Sequence, residues 1–260
     1  MSSAGPAGIV RRPEDVPGET AEGDTVTELR LVDAPEHAEP LTCRLLRCES
    51  GRSLVRRRTL DDELLYVVAG EGTLSLDVRS FGLVPGTAAL VLAGEAWQLA
   101  VPDRGALVVV AVRVPAPPGP WGSALARPSS SRLYTTSLGG QDREEATSGR
   151  EFELLFNPAR GSRGATQFVG FIPASGAPAH YHLYDEICVI LRGRGLLRVA
   201  DRPAQPLTEG AAFAVTPRLL HSLENTGEGD LWLLGVFRPA GSAAAAYYPD
   251  GRPAPNNVDD

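Results

Sequence analysis

Short apolar runs, set off by glycine, proline or charged clusters, recur along most of the chain. In the first half they fall at 64–68, 73–78, 88–92 and 107–114, after a weaker alternation at 25–32. In the second half they fall at 151–156, 167–172, 187–192, 193–199, 210–216, 221–225 and 231–237. Runs this short, repeating at roughly 8 to 12 residues with turn residues between them, predict strands of a sandwich or barrel. The fold class expected is therefore all-β.

The two halves also resemble one another. Glu63 stands seven residues before Gly70 as Glu186 stands before Gly193, and Gly86 lines up with Gly210. Such an internal repeat predicts two similar units in tandem. The expected layout is an arm over 1–25, a first barrel over 26–115, a Pro/Gly/Ser-rich linker over 116–148, a second barrel over 149–240 and a tail over 241–260. The first 25 residues, rich in Pro, Gly and acids, read as mobile.

Chemistry concentrates in the second half. Alternate residues of a strand share a face, so His180 and His182 present two imidazoles side by side, and Glu186 keeps the same parity. His221 offers a fourth donor. Three of the four histidines fall in this constellation, and imidazole with carboxylate suits a first-row divalent metal. The fourth, His37, lies in loop sequence and reads as a surface residue. Strand parity adds Tyr184, Cys188, Ile190 and Arg192 to the same face. Phe213, Val215, Leu223 and Trp232 on neighbouring strands complete a mostly apolar pocket for a small organic molecule.

His180, His182, Glu186 and Gly193 resemble the first motif of the cupin superfamily, H-x-H-x(3 or 4)-E-x6-G. Gly210, His221 and Asn225 resemble the second, although Pro217 sits one place late and Leu219 replaces a glycine. The resemblance implies two tandem cupin (double-stranded β-helix, or jelly-roll) barrels, with three histidines and Glu186 holding one divalent metal in the second. Counting back from Glu63, the histidine positions of the first barrel hold Arg57 and Thr59, and Trp97 stands for His221, so that barrel is expected to lack metal. Fe(II) is the favoured ion, with Mn, Ni or Zn as alternatives. The resemblance further implies a non-haem Fe(II) dioxygenase, an oxidoreductase acting on an aromatic or enolic substrate, with Glu186 as base. Its alternatives are a redox-neutral isomerase, cyclase, decarboxylase or hydrolase, and a non-catalytic small-molecule-binding cupin.

Composition narrows the classes. A net charge of −7 and a pI of about 5.2 argue against a sequence-independent nucleic-acid binder. No apolar run approaches the length that crosses a bilayer, and residues 1–6 do not open a signal peptide. The three cysteines, Cys43, Cys48 and Cys188, make no disulfide framework, so the cytoplasm is the expected location. The chain contains no lysine, which excludes Schiff-base chemistry and the lysine-bearing phosphate loop. The arginines at 44, 47, 52, 56, 57 and 58 read as a solvated face. The expected partner is a small-molecule substrate, and a homodimer is compatible with the family.

Overall fold

A computed structural model describes residues 7–33, 40–116, 132–200, 202–255 and 257. His37 and positions 117–131 of the expected linker lie outside the described residues. Among those described, regular structure is almost all β, and no helix is long and apolar enough to cross a membrane. The chain forms two jelly-roll barrels in tandem.

In the first half, ten strands make one strongly bent sheet. Its spine is the Ala96–Pro115 strand. The first part of that strand pairs with Gly72–Leu76 and Arg56–Arg57, and the later part with Thr42–Arg52 and Asp61–Gly70. The turn between the two parts comes at Arg104, which adopts a left-handed φ of 61°. Leu46, Leu65, Leu74, Trp97 and Leu99 fill the interior.

The second half is a two-sheet sandwich. A six-stranded sheet runs Glu144–Glu145, Glu151–Phe156, Thr166–Ile172, Leu231–Arg238, Asp185–Arg192 and Ala212–Val215. A four-stranded sheet runs Ala177–His180, His221–Asn225, Gly195–Val199 and Gln205–Leu207. Every pairing is antiparallel. The internal repeat has a backbone signature: Gly70 and Gly193 have φ of 77° and 89°, and Gly86 and Gly210 have 88° and 82°. A side chain at these turns would be strained, which explains why both halves place glycine there.

The Asp185–Arg192 strand explains why its sequence is a nearly continuous apolar run. Cys188 and Ile190 point into their own barrel. Ile187 and Val189 point the other way, into a second core shared with Leu31, Leu64, Tyr66, Leu90, Val110 and Val112 of the first half. A strand buried on both faces loses the polar alternation.

The N-terminal segment differs from the expected mobile arm. Gly8 N–H donates to Ala214 O at 2.7 Å, and Arg11 and Ala212 exchange two hydrogen bonds of 2.8 Å, so residues 8–11 cap the edge strand of the second barrel. Residues 18–20 form a hairpin with Val26–Asp33. Thr135–Ser137, from the expected linker, caps Thr87–Val91 of the first barrel in the same way. Exposed strand edges leave backbone donors and acceptors unpaired. The segments that cover them bind through backbone, which hydrophobic patterning does not register.

Candidate metal centre

Strand register builds the cluster. His180 ends one strand, His221 begins the next, and the two are opposed in the ladder. His182 follows two residues later. Ring centroids lie 4.4 Å apart for His180 and His221, 4.8 Å for His180 and His182, and 5.2 Å for His182 and His221. One ring nitrogen of each lies within 4.8 Å of the other two, a spacing that a metal ion can bridge. No other such cluster occurs among the described residues.

Each imidazole is held in one tautomer. His180 Nδ1 donates to Pro178 O at 2.7 Å, His221 Nδ1 to Leu219 O at 2.9 Å, and His182 Nδ1 to Ala245 O at 2.9 Å. A carbonyl only accepts, so Nδ1 carries the proton and Nε2 keeps its lone pair, as metal ligation requires. Burial lowers all three pKa values, helped by neighbouring histidines at His180 and His182 and by the Arg150 charge at all three: to about 3 for His182, to about 4 for His221, and well below the usual range for His180. The rings are therefore neutral at ordinary pH. The donor set fits a divalent metal.

Glu186 completes the polar cluster, with Oε2 at 3.5 Å from His182 Nε2. Burial raises its pKa to about 7, against the opposing effects of the Cys188 thiol hydrogen bond and the Arg150 charge. Gly235 makes room for it, since a Cβ there would lie 2.2 Å from the Phe168 ring and 3.0 Å from Glu186 Oε1.

The cavity in front of these groups has a volume of about 50 Å³. Its apolar walls include Phe152, Phe168, Ile172, Leu223 and Leu233, and Arg150 is the one cation in its lining. Arg150 is aimed by a tight turn in which Ser148 and Gly149 have positive φ. Its Nε donates to Thr147 O at 2.9 Å, and its Nη2 bonds Thr147 Oγ1. A second carboxylate, Glu151, also lines the cavity and pairs with Arg143 at 2.9 Å.

Of the pocket residues expected from sequence, Tyr184, Cys188 and Leu223 line this cavity. Ile190, Phe213 and Val215 are buried in the same core but outside the lining. Arg192 and Trp232 belong elsewhere, together in a groove between the halves with Tyr66 and Leu138. A bulge between Ile190 and Arg192 breaks the alternation that was to carry Arg192 inward. Trp232 has the opposite parity from Leu231 and Leu233, which face the barrel interior. Phe168 and Ile172 could have been found by alternation along their strand. Arg150 gave no signal, because a turn rather than a strand aims it.

The first half has a different polar centre. Arg56 opposes Trp97 as His180 opposes His221. It is therefore Arg56, not Arg57, that takes the place of His180, because one more residue separates it from the conserved-spacing glutamate. Glu63 accepts from Trp97 Nε1 and from Arg113 Nε, each at 2.7 Å.

Residues 167–237 match the model of the cupin domain, a span that contains all four expected ligands. Among solved structures, the fold is similar to oxalate decarboxylase from Bacillus subtilis, a protein with Mn(II) centres. That match has a TM-score of 0.66 at 14% identity over 90% of this chain and 78% of the other. It is also similar to oxalate decarboxylase from Lactobacillus farciminis in its formate complex, with a TM-score of 0.68 at 13% identity over 93% and 88% of the two chains. No curated protein matches the chain by sequence.

These similarities correct the expected reaction class. The two structures named are decarboxylases, which are lyases, rather than dioxygenases or other oxidoreductases, so they do not support the expected oxidoreductase class. The preference for iron also finds no support, because the ion named for such a structure is Mn(II).

Proposed function

We propose that the chain is a divalent-metal-dependent decarboxylase of a small carboxylate, with His180, His182, His221 and Glu186 as the metal ligands and Mn(II) as the favoured ion. The observation that carries this reading is Arg150, the lone arginine of a small apolar-walled chamber that also holds three neutral imidazoles and Glu186. With Glu151 neutralised by its pairing with Arg143, a divalent ion, Glu186 and Arg150 sum to a net positive chamber, which suits an anionic substrate. A space of about 50 Å³ holds only a few waters, so the substrate has few non-hydrogen atoms. The similarity to oxalate decarboxylases points the same way.

When bound, the metal supplies Lewis acidity toward the substrate's oxygens. Arg150 grips a carboxylate through its planar guanidinium. The walls of Phe152, Phe168, Ile172, Leu223 and Leu233 exclude water around the carboxylate to be lost. Decarboxylation breaks one C–C bond, releases CO2 and leaves the electron pair on the remaining carbon, which takes up a proton. Glu186 is the group placed to pass that proton, at a carboxyl oxygen free of the metal, with the Cys188 thiol as its hydrogen-bonding neighbour.

In the same reading the first barrel holds no metal, and its Glu63–Trp97–Arg113 contacts take the structural place of an ion. The test is CO2 release from Mn(II)-loaded protein offered oxalate and other carboxylates of up to four carbons. One active substrate, with loss of metal in His182→Ala, is expected. Metal-loaded protein that decarboxylates none of them would overturn the reading.

A further inference from the structure

The three histidines are not oriented in the same way. His180 and His221 each donate to a carbonyl two residues upstream on their own segment, so local backbone fixes their tautomers. His182 instead donates to Ala245 O, 63 positions away. Its tautomer depends on a distant piece of chain being in place.

That piece is the strap formed by residues 241–247. It is docked through its backbone and through stacked tyrosines. Tyr181 and Tyr247 exchange hydrogen bonds of 3.0 and 2.9 Å, and their rings stack with centroids 5.4 Å apart. Thr166 Oγ1 donates to Gly241 O at 3.1 Å. Ala246 O accepts from Ala254 N at 2.8 Å and from Asn257 Nδ2 at 3.1 Å, which folds the following residues back over the strap. Ala244 and Ala246 are buried.

The strap also touches the site from two sides. Ala243 lines the chamber in front of the histidines. Gly241, Ser242, Ala245 and Tyr247 line an adjoining cavity of about 370 Å³, and Tyr184 lines both. Tyr184 OH donates to the same Ala245 carbonyl at 3.4 Å, while its ring stacks on His182 at 4.6 Å.

We propose that the C-terminal strap is the positioning element of the metal centre, with the Ala245 carbonyl fixing His182 so that strap docking and metal binding strengthen each other. This rests on the metal-site reading given above. With the strap undocked, His182 loses its acceptor, and the proton is free to move to Nε2 and block ligation. Because coupling free energies are reciprocal, metal must tighten the strap by the factor with which the strap tightens metal. Loss of a ligand's orienting partner typically weakens metal affinity about 10- to 100-fold.

The test compares full-length protein, a chain ending at Ser242 and Tyr247→Pro, which removes the amide that donates to Tyr181 O. Mn(II) affinity is measured by chelator competition, folding by circular dichroism, and amide exchange of residues 243–248 with and without Mn(II). Folded variants with affinity reduced about 10- to 100-fold, and strap amides protected by Mn(II) in the full-length chain, are expected. Should the truncated chain fail to fold, Tyr247→Pro and the exchange measurement still decide. Wild-type affinity in either folded variant, or strap exchange indifferent to Mn(II), overturns the proposal. Full-length protein that takes up no Mn(II) overturns the metal reading itself, and the strap's role with it.

Discussion

Glu186 gives the sharpest physical test, because its effect on stability should change sign with occupancy of the site. In metal-free protein its pKa rises from 4.5 unfolded to about 7 folded, chiefly through burial. Between those values the folded state binds more proton than the unfolded state, so stability falls as pH rises through the window. A shift of this size, at about 1.4 kcal/mol per unit, corresponds to about 3 kcal/mol. Glu186→Gln removes the penalty while keeping shape and a polar partner for Cys188. The difference in stability between Glu186→Gln and wild type should therefore grow in the variant's favour by about 3 kcal/mol from pH 4 to pH 8. The three histidines titrate in both proteins, so their contribution cancels in the difference. Urea unfolding in the presence of chelator reads this as a midpoint shift on the order of 1 M. A difference that stays flat with pH would refute the claim that Glu186 is a buried carboxyl held near neutrality. Added Mn(II) should reverse the order, because the wild-type carboxylate then faces a cation.

Arg150→Ala should leave Mn(II) uptake intact while lowering kcat/KM on the active carboxylate by at least about 2 kcal/mol, roughly 30-fold. Steady-state kinetics beside metal analysis separates this from simple loss of the site. Gly235→Ala drives a methyl into the Phe168 ring and against Glu186, and should cost about 1–3 kcal/mol by thermal unfolding; an unchanged Tm would mean the strands there yield freely. Glu63→Ala strands the buried Trp97 indole N–H and takes from the partly buried Arg113 its nearer carboxylate, leaving it Glu28 at 3.8 Å, with an expected loss of about 1–3 kcal/mol. Bound metal per chain should not change in that variant, and a fall would place a metal ligand in the first half.

Much of the fold was legible because strand alternation and turn glycines are local. Gly70, Gly86, Gly193 and Gly210 announce the same turns in both halves. His180, His182, Glu186 and His221 meet as their spacing suggests, though not along one strand: His180 ends a strand of one sheet, His182 follows it in the segment between strands, and Glu186 lies in the other sheet. What escaped detection was not periodic. A bulge beyond Ile190 turned Arg192 outward, and one extra residue moved the His180-equivalent place from Arg57 to Arg56. The parity of Trp232 was ambiguous from sequence, since both faces of Leu231–Arg238 are apolar and both are buried. Gly8, Arg11 and Ala245 act through their own backbone N–H or C=O groups, so their residue types carry no signature of the contact. Arg150 depends on the left-handed turn at Ser148 and Gly149, whose direction is decided by the fold around it.

The double-sided burial of Asp185–Arg192 bears on how the chain can be divided. Severed from its neighbour, the second barrel would turn Ile187, Val189, Leu234 and Val236 toward water, together with the open edge at Ala212–Val215. Such a fragment is expected to be sticky and to recapture its counterpart when the two are mixed. The first half then serves as a built-in chaperone for the wall that carries Glu186, a contribution it makes through the surface it covers.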